Sequence, residues 1–139
     1  MTLFLDACAL IYRFEGNAAF RSATMALLAQ LGAVSAQPAV AVSRLSLLEC
    51  RVKPMRLGDQ ALIKRYDVFF AACQIVELSA EVVETATLLR VRCGLKTPDA
   101  LQAACALALP AQVCFVTGDQ VFGKVPGLDV RLIQAPSSV

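Results

Sequence analysis

Four acidic residues stand beside almost wholly apolar stretches of this sequence: Asp6 closing TLFLD, Glu49 in RLSLLECRV, Asp99 in KTPDALQAACALALP, and Asp119 in VCFVTGD. The chain contains no histidine. That excludes Ser-His-Asp and Cys-His catalysis, histidine-ligated zinc, and metal-free ribonuclease chemistry run on imidazoles. Any hydrolysis must therefore run on carboxylates. Ionised carboxylates brought together repel one another unless a cation neutralises them, and an all-oxygen donor set selects a hard ion such as Mg²⁺ or Mn²⁺. With one or two such ions, a site of this kind orients or deprotonates a water, holds a phosphodiester in line and stabilises the leaving oxygen. Phosphodiester hydrolysis is the reaction that fits.

Taken singly, each acid has a purely structural explanation. Asp6 can cap a short helix, Glu49 can be a solvated helix residue, and Gly118-Asp119 can be a turn. Asp99 follows Thr97, which reads as an N-cap, and Pro98, which reads as the first helical residue. An acid on that first turn gains about 0.3–1 kcal/mol from the helix dipole with no function at all. The elements that position the four acids decide between the readings.

Short β-branched or apolar runs alternate with helical stretches, the pattern of a parallel sheet covered by helices on both sides. The strands are predicted at TLFL (2–5), PAVAV (38–42), QIVEL (74–78), VCFVT (113–117) and DVRLI (129–133). Helices are predicted after Asp6 and over 17–31, 43–54, 57–72, 79–94 and 97–109. Within 43–54, Leu45, Leu48 and Val52 follow the spacing of a buried face, while Ser46, Glu49 and Lys53 follow another.

Sites in open α/β sheets form outside the carboxyl ends of the strands. Asp6 directly follows the first strand, Glu49 follows the second by one or two helical turns, and Asp119 follows the fourth by two residues. Asp99 opens the helix leading into the fourth strand. Such a helix runs antiparallel to that strand, so its start lies at the same edge. All four acids are thus expected at one edge.

The length, 139 residues, suits one domain, expected over 1–135 with a short tail at 136–139. The composition is 58% hydrophobic, and two uncharged runs, Ser22 to Ser43 and Ala100 to Gly118, are long enough to span a bilayer. Gly32, Pro38, Pro110 and four glutamines interrupt them. Each is read as a buried helix followed by a buried strand rather than a membrane span. MTLFLDACAL lacks a basic segment and meets an acid at position 6, so no secretory signal is read and a cytoplasmic location is expected. Six cysteines (Cys8, Cys50, Cys73, Cys93, Cys105, Cys114) show no C-x-x-C spacing and sit among apolar residues. They are expected as buried, reduced thiols.

The net charge is +2, from 13 basic and 11 acidic residues. If four acids converge on one metal, the other seven leave a surplus of six positive charges. Arg44, Arg51, Lys53 and Arg56 cluster around one segment. They suit a polyanionic substrate, or are simply solvated helix faces.

The ordered motifs LDACALIY, VSRLSLLECRV, KTPDALQAACAL and FVTGDQVFGKVPGLDV resemble the PIN-domain nucleases, in particular the VapC-type toxins of bacterial toxin–antitoxin pairs. The likeness covers essentially the whole chain. It implies a single three-layer α/β domain with a five-stranded parallel sheet, order 3-2-1-4-5, and metal-dependent endoribonuclease activity. It further implies a Mg²⁺ or Mn²⁺ site in which Asp6 and Asp99 are direct or near-direct ligands. Glu49 would bind metal or orient the water, Asp119 would complete a second ion position, and Thr117 would support the site. The resemblance also implies a homodimer and a small antitoxin that covers the acidic site, often with a basic side chain. One departure is Cys8, where many members carry Asn or Ser; a thiol hydrogen-bonds poorly. Two rival readings remain open. A phosphatase with an aspartate nucleophile after the first strand carries a second aspartate two residues on, where this chain again has Cys8. A PIN-like protein can also bind RNA or a partner without cutting.

Overall fold

The computed structural model describes residues 1–33, 39–110 and 112–134. Five strands are present: β1 (Thr2–Leu5), β2 (Ala39–Ser43), β3 (Gln74–Val76), β4 (Val113–Thr117) and β5 (Asp129–Leu132). They form one parallel sheet in the order β3-β2-β1-β4-β5. The helices are α1 (Ala7–Glu15), α2 (Ala18–Gly32), α3 (Arg44–Leu57), α4 (Gln60–Ala71), α5 (Ala80–Cys93) and α6 (Thr97–Leu107), with a 3₁₀ turn over Gln120–Lys124. The expected fold and strand order are both found. Pro38 and the predicted tail, 136–139, lie outside the described residues.

The sheet is buried on both faces, which is why its central strands read as unbroken apolar runs. Leu3 and Leu5 of β1, with Cys114 and Val116 of β4, share a core with residues of α1 to α4. Phe4 and Phe115, between them in sequence, join α5, α6 and the 3₁₀ turn in a second core. There Phe115 stacks on Phe4 with ring centroids 5.4 Å apart and meets Phe122 at 4.6 Å.

Local chemistry sets the element ends. Asn17, Ser43, Asp59 and Ser79 each place a side-chain oxygen on a backbone N–H of the following helix. Gly94, at φ 68°, ends α5 in the left-handed conformation that glycine adopts without strain. Caps also explain the boundary shifts. The third helix runs on to Leu57 and the fourth starts only at Gln60, because Gly58 and Asp59 terminate one and cap the other. The edge strand β3 ends at Val76, and the carboxylate of Glu77 pairs instead with Arg44.

Two predicted faces are corrected. In α3 the buried residues are Ser46, Leu47, Cys50 and Pro54, whereas Leu48 is 60% exposed and Val52 39%. The leucine spacing was a genuine helical stripe, but the helix turns the neighbouring stripe of Ser46, Leu47, Cys50 and Pro54 inward. In α2 only Thr24 and Leu31 are buried. That run is uncharged because it is rich in alanine and other small residues, which form a surface helix as readily as a buried one. The other uncharged run behaves as expected: most of α6 and four of the five β4 residues are buried. Among the described residues no helix is long and apolar enough to cross a membrane. All six cysteines are free, but only Cys50, Cys105 and Cys114 are buried; Cys8, Cys73 and Cys93 are half-buried.

Candidate active site

Pairing of β1 with β4 brings the first acid to the sheet edge. Leu5 is in register with Val116, and the Asp6 N–H donates to the Val116 carbonyl at 3.3 Å. Asp6 then caps α1, its Oδ1 accepting from the Ala9 N–H at 2.9 Å. Its Oδ2 accepts from the Thr117 hydroxyl at 2.5 Å, and the same hydroxyl oxygen accepts from the Asp119 N–H at 3.0 Å. Thr117 thereby ties together the two acids that follow the central strands. It is fully buried.

Asp6 is 3% exposed. Burial is the chief reason its pKa is pushed up to about 7, and the charges of Asp99 and Asp119 add to the rise. The bonds from Thr117 and Ala9 oppose it. The carboxyl of Asp99 is also raised, by partial burial and then by Asp119, with Lys96 pulling the other way. That of Glu49 is raised by partial burial and by Asp99, against a hydrogen bond from Gln102. Asp119 is exposed and caps the 3₁₀ turn through the Val121 N–H at 3.0 Å.

All four acids line one cavity of about 310 Å³, together with Cys8, Tyr12 and Gln102. The four acids thus share the one edge expected of them. As the side chains stand, no three histidine, cysteine, aspartate or glutamate residues among those described gather closely enough to hold an ion. Like charges around a shared space are expected to lean apart until a cation is present. The chemistry of the donor set fits a hard divalent ion, since every acid offers oxygen and no histidine competes.

The start of α6 differs from its prediction. Lys96 occupies the N-cap position without a side-chain capping bond, Thr97 is the first helical residue, and Pro98 follows it. The Thr97 hydroxyl is engaged elsewhere, accepting from Arg90 at 2.7 Å, and Arg90 also donates to the Leu95 carbonyl at 3.2 Å. Arg90 thus staples the end of α5 to the start of α6. Among the described residues the Asp99 carboxylate accepts no hydrogen bond; its surroundings act on it through burial and charge alone. Capping is not what holds this acid there.

Several neighbours of the site escaped the sequence reading. Gln102 donates its amide N–H groups to Ser46 at 2.9 Å and to Glu49 at 3.3 Å. The available signal was spacing: Gln102 lies three residues after Asp99, and Ser46 three before Glu49, so each pair shares a helix face. Tyr12 packs so closely on Gly118 that a Cβ there would meet its ring at 2.4 Å. A side chain at this turn between Thr117 and Asp119 would have to displace the Tyr12 ring. Cys8 stays protonated beside the acids, its pKa raised by burial and by the Asp6 charge. Of the basic cluster, Arg44 is paired with Glu77, and Arg51 with Asp67 at 3.2 Å. Those two face acids rather than standing free for a polyanion.

A family model for the PIN domain matches residues 3–128. Comparison with curated proteins finds no match. Among solved structures, VapBC2 from Rickettsia felis bound to a DNA fragment from its promoter superposes with a TM-score of 0.73 at 18% identity, covering 95% of this chain and 98% of that one. A toxin–antitoxin complex from Klebsiella pneumoniae gives 0.71 at 22%, covering 98% and 100%. The Mycobacterium tuberculosis toxin VapC20, described as cleaving the sarcin-ricin loop, gives 0.71 at 20%, covering 94% and 99%. With the family model spanning nearly its whole length and the sheet order that the motifs implied, this chain belongs to the PIN domain family.

Proposed function

We propose that the protein is a metal-dependent endoribonuclease, the toxin of a toxin–antitoxin pair, hydrolysing RNA phosphodiester bonds in the cytoplasm. The observation that carries this reading is the convergence of Asp6, Glu49, Asp99 and Asp119 on one cavity in a chain without histidine. Asp6 and Asp99 would hold one Mg²⁺ or Mn²⁺, Glu49 would bind it or orient the attacking water, and Asp119 would complete a second position. The chemistry such ions supply when bound is neutralisation of phosphate charge and acidification of a water. The protein's own part is preorganisation: Thr117 and the Ala9 N–H fix both oxygens of Asp6, so its carboxylate need not search for its orientation. Because burial raises the pKa values of Asp6, Glu49 and Asp99, cation binding there would be coupled to proton release.

For partners we infer an RNA substrate, a cognate antitoxin covering the acidic cavity, and a second copy of the chain. The likeness to VapBC complexes and to a Klebsiella toxin–antitoxin complex supports the antitoxin. The outward apolar stripe of α3, where Leu48 is 60% and Met55 64% exposed, supports a protein partner on that face. A PIN-like protein that binds without cutting is the second reading, favoured by the absence, among the described residues, of three acids close enough together to hold an ion.

The test is incubation of the purified protein with structured RNA. Cleavage is expected with Mn²⁺ or Mg²⁺ and is expected to stop in EDTA. Cleavage that persists in EDTA excludes the metal mechanism; no cleavage with either ion, on a panel of transfer and ribosomal RNA fragments, favours the binding-only reading.

A further inference from the structure

Gln102 is an amide in a place that asks for a hydrocarbon. It is 3% exposed, on a helix whose neighbouring buried residues are Ala100, Ala103, Ala104, Cys105 and Ala106. Its Nε2 meets the Ser46 hydroxyl oxygen at 2.9 Å and Glu49 Oε1 at 3.3 Å. Its Oε1 is buried and has no hydrogen-bond partner among the described residues. An unsatisfied buried acceptor is costly. Turning the amide over would let Oε1 accept from the Ser46 hydroxyl, but it would set a carbonyl oxygen against the Glu49 carboxylate. The orientation that leaves an oxygen unpartnered is therefore the one that Glu49 demands.

We propose that Gln102 is a positioning residue: anchored by Ser46, it holds the Glu49 carboxylate at the acidic cavity and thereby sets the site's affinity for a divalent cation. It stands one helical turn after Asp99, so a single helix fixes two acids, one that it carries and one that it reaches across on α3. The inference rests on the metal-site reading above.

The experiment measures Mn²⁺ binding to the full chain by calorimetry or electron paramagnetic resonance, beside melting temperatures. Gln102→Met fills the same volume and removes both the donor and the orphaned acceptor. It is expected to melt at or above the wild-type temperature, yet to bind Mn²⁺ about ten- to a hundredfold more weakly, as loss of a residue supporting a ligand commonly does. Ser46→Ala, which unpins the amide and leaves its contact with Glu49, is expected to fall between the two. If Gln102→Met binds Mn²⁺ as wild type does, or only melts lower, the positioning role is wrong. Should that variant fail to fold, unchanged affinity in Ser46→Ala overturns the proposal and weakened affinity supports it. Asp6→Asn separates the two levels: binding lost there but retained in Gln102→Met rejects Gln102 alone. A wild-type protein that binds no Mn²⁺ rejects the metal site as well.

Discussion

Asp6→Asn is expected to slow RNA cleavage on the order of a thousandfold or more while making the metal-free protein more stable at pH 8. The two effects share one cause. The carboxyl of Asp6 ordinarily titrates near 3.8 and is pushed up to about 7 in the folded chain. Between those values the folded state holds a proton that the unfolded chain has released, so stability falls as pH rises from about 4 to about 7 and levels off above that. The ionised, buried carboxylate then costs about 4 kcal/mol relative to an unperturbed one. Asparagine removes that charge and keeps an oxygen for the Ala9 N–H. It offers an amide where the Thr117 hydroxyl now donates, and so loses part of the gain. A net stabilisation of about 1–2 kcal/mol is left, several degrees in melting temperature. Thermal melts in EDTA from pH 4 to 8 check this: the wild-type melting temperature should decline across that range more steeply than the variant's, in which Asp99 and Glu49 keep their raised carboxyls. Parallel curves, or wild-type cleavage by the variant, would place the catalytic charge elsewhere.

Phe115→Ala should be the most destabilising single truncation near the site, about 3–5 kcal/mol, a large share of what a domain of this size has to spare. Phe115 is fully buried between Phe4, two residues before Asp6, and Phe122, three residues after Asp119. The void would open against Phe4 and Phe122, which lie close in sequence to the two acids. Urea unfolding should show a midpoint well below wild type with little change in slope. Cleavage at temperatures where the variant remains folded should also fall, because the segments that carry Asp6 and Asp119 pack on Phe115 through Phe4 and Phe122. A stability loss under about 1 kcal/mol would show that Phe4 and Phe122 close the gap.

How legible all this was in the residues varied with the physics. The strands 2–5 and 113–117 were plain because burial on both faces leaves them apolar but for one threonine each, with Asp6 and Asp119 conspicuous where the chain emerges. Glu49 was found although the leucines beside it misled. Periodicity shows that a helix has stripes, and tertiary packing chooses which one turns inward. Thr97 was misread as a cap because its hydroxyl is claimed by Arg90, a partner seven residues away that local rules do not see. Gln102 was missed for a related reason. Its spacing from Asp99 marks a shared helix face, but its meaning lies in a carboxylate 53 positions earlier in the chain.

The bond between Asp6 and Thr117 spans 111 positions in sequence, and β1, though first in the chain, lies in the middle of the sheet with β4 on one flank. Parallel pairing over that distance carries a high loop-closure cost. During synthesis, then, the acids emerge one by one, but they cannot converge until the fourth strand has left the ribosome and docked. Any activity that needs both Asp6 and Asp119 is thereby confined to the chain in which β1 and β4 are paired.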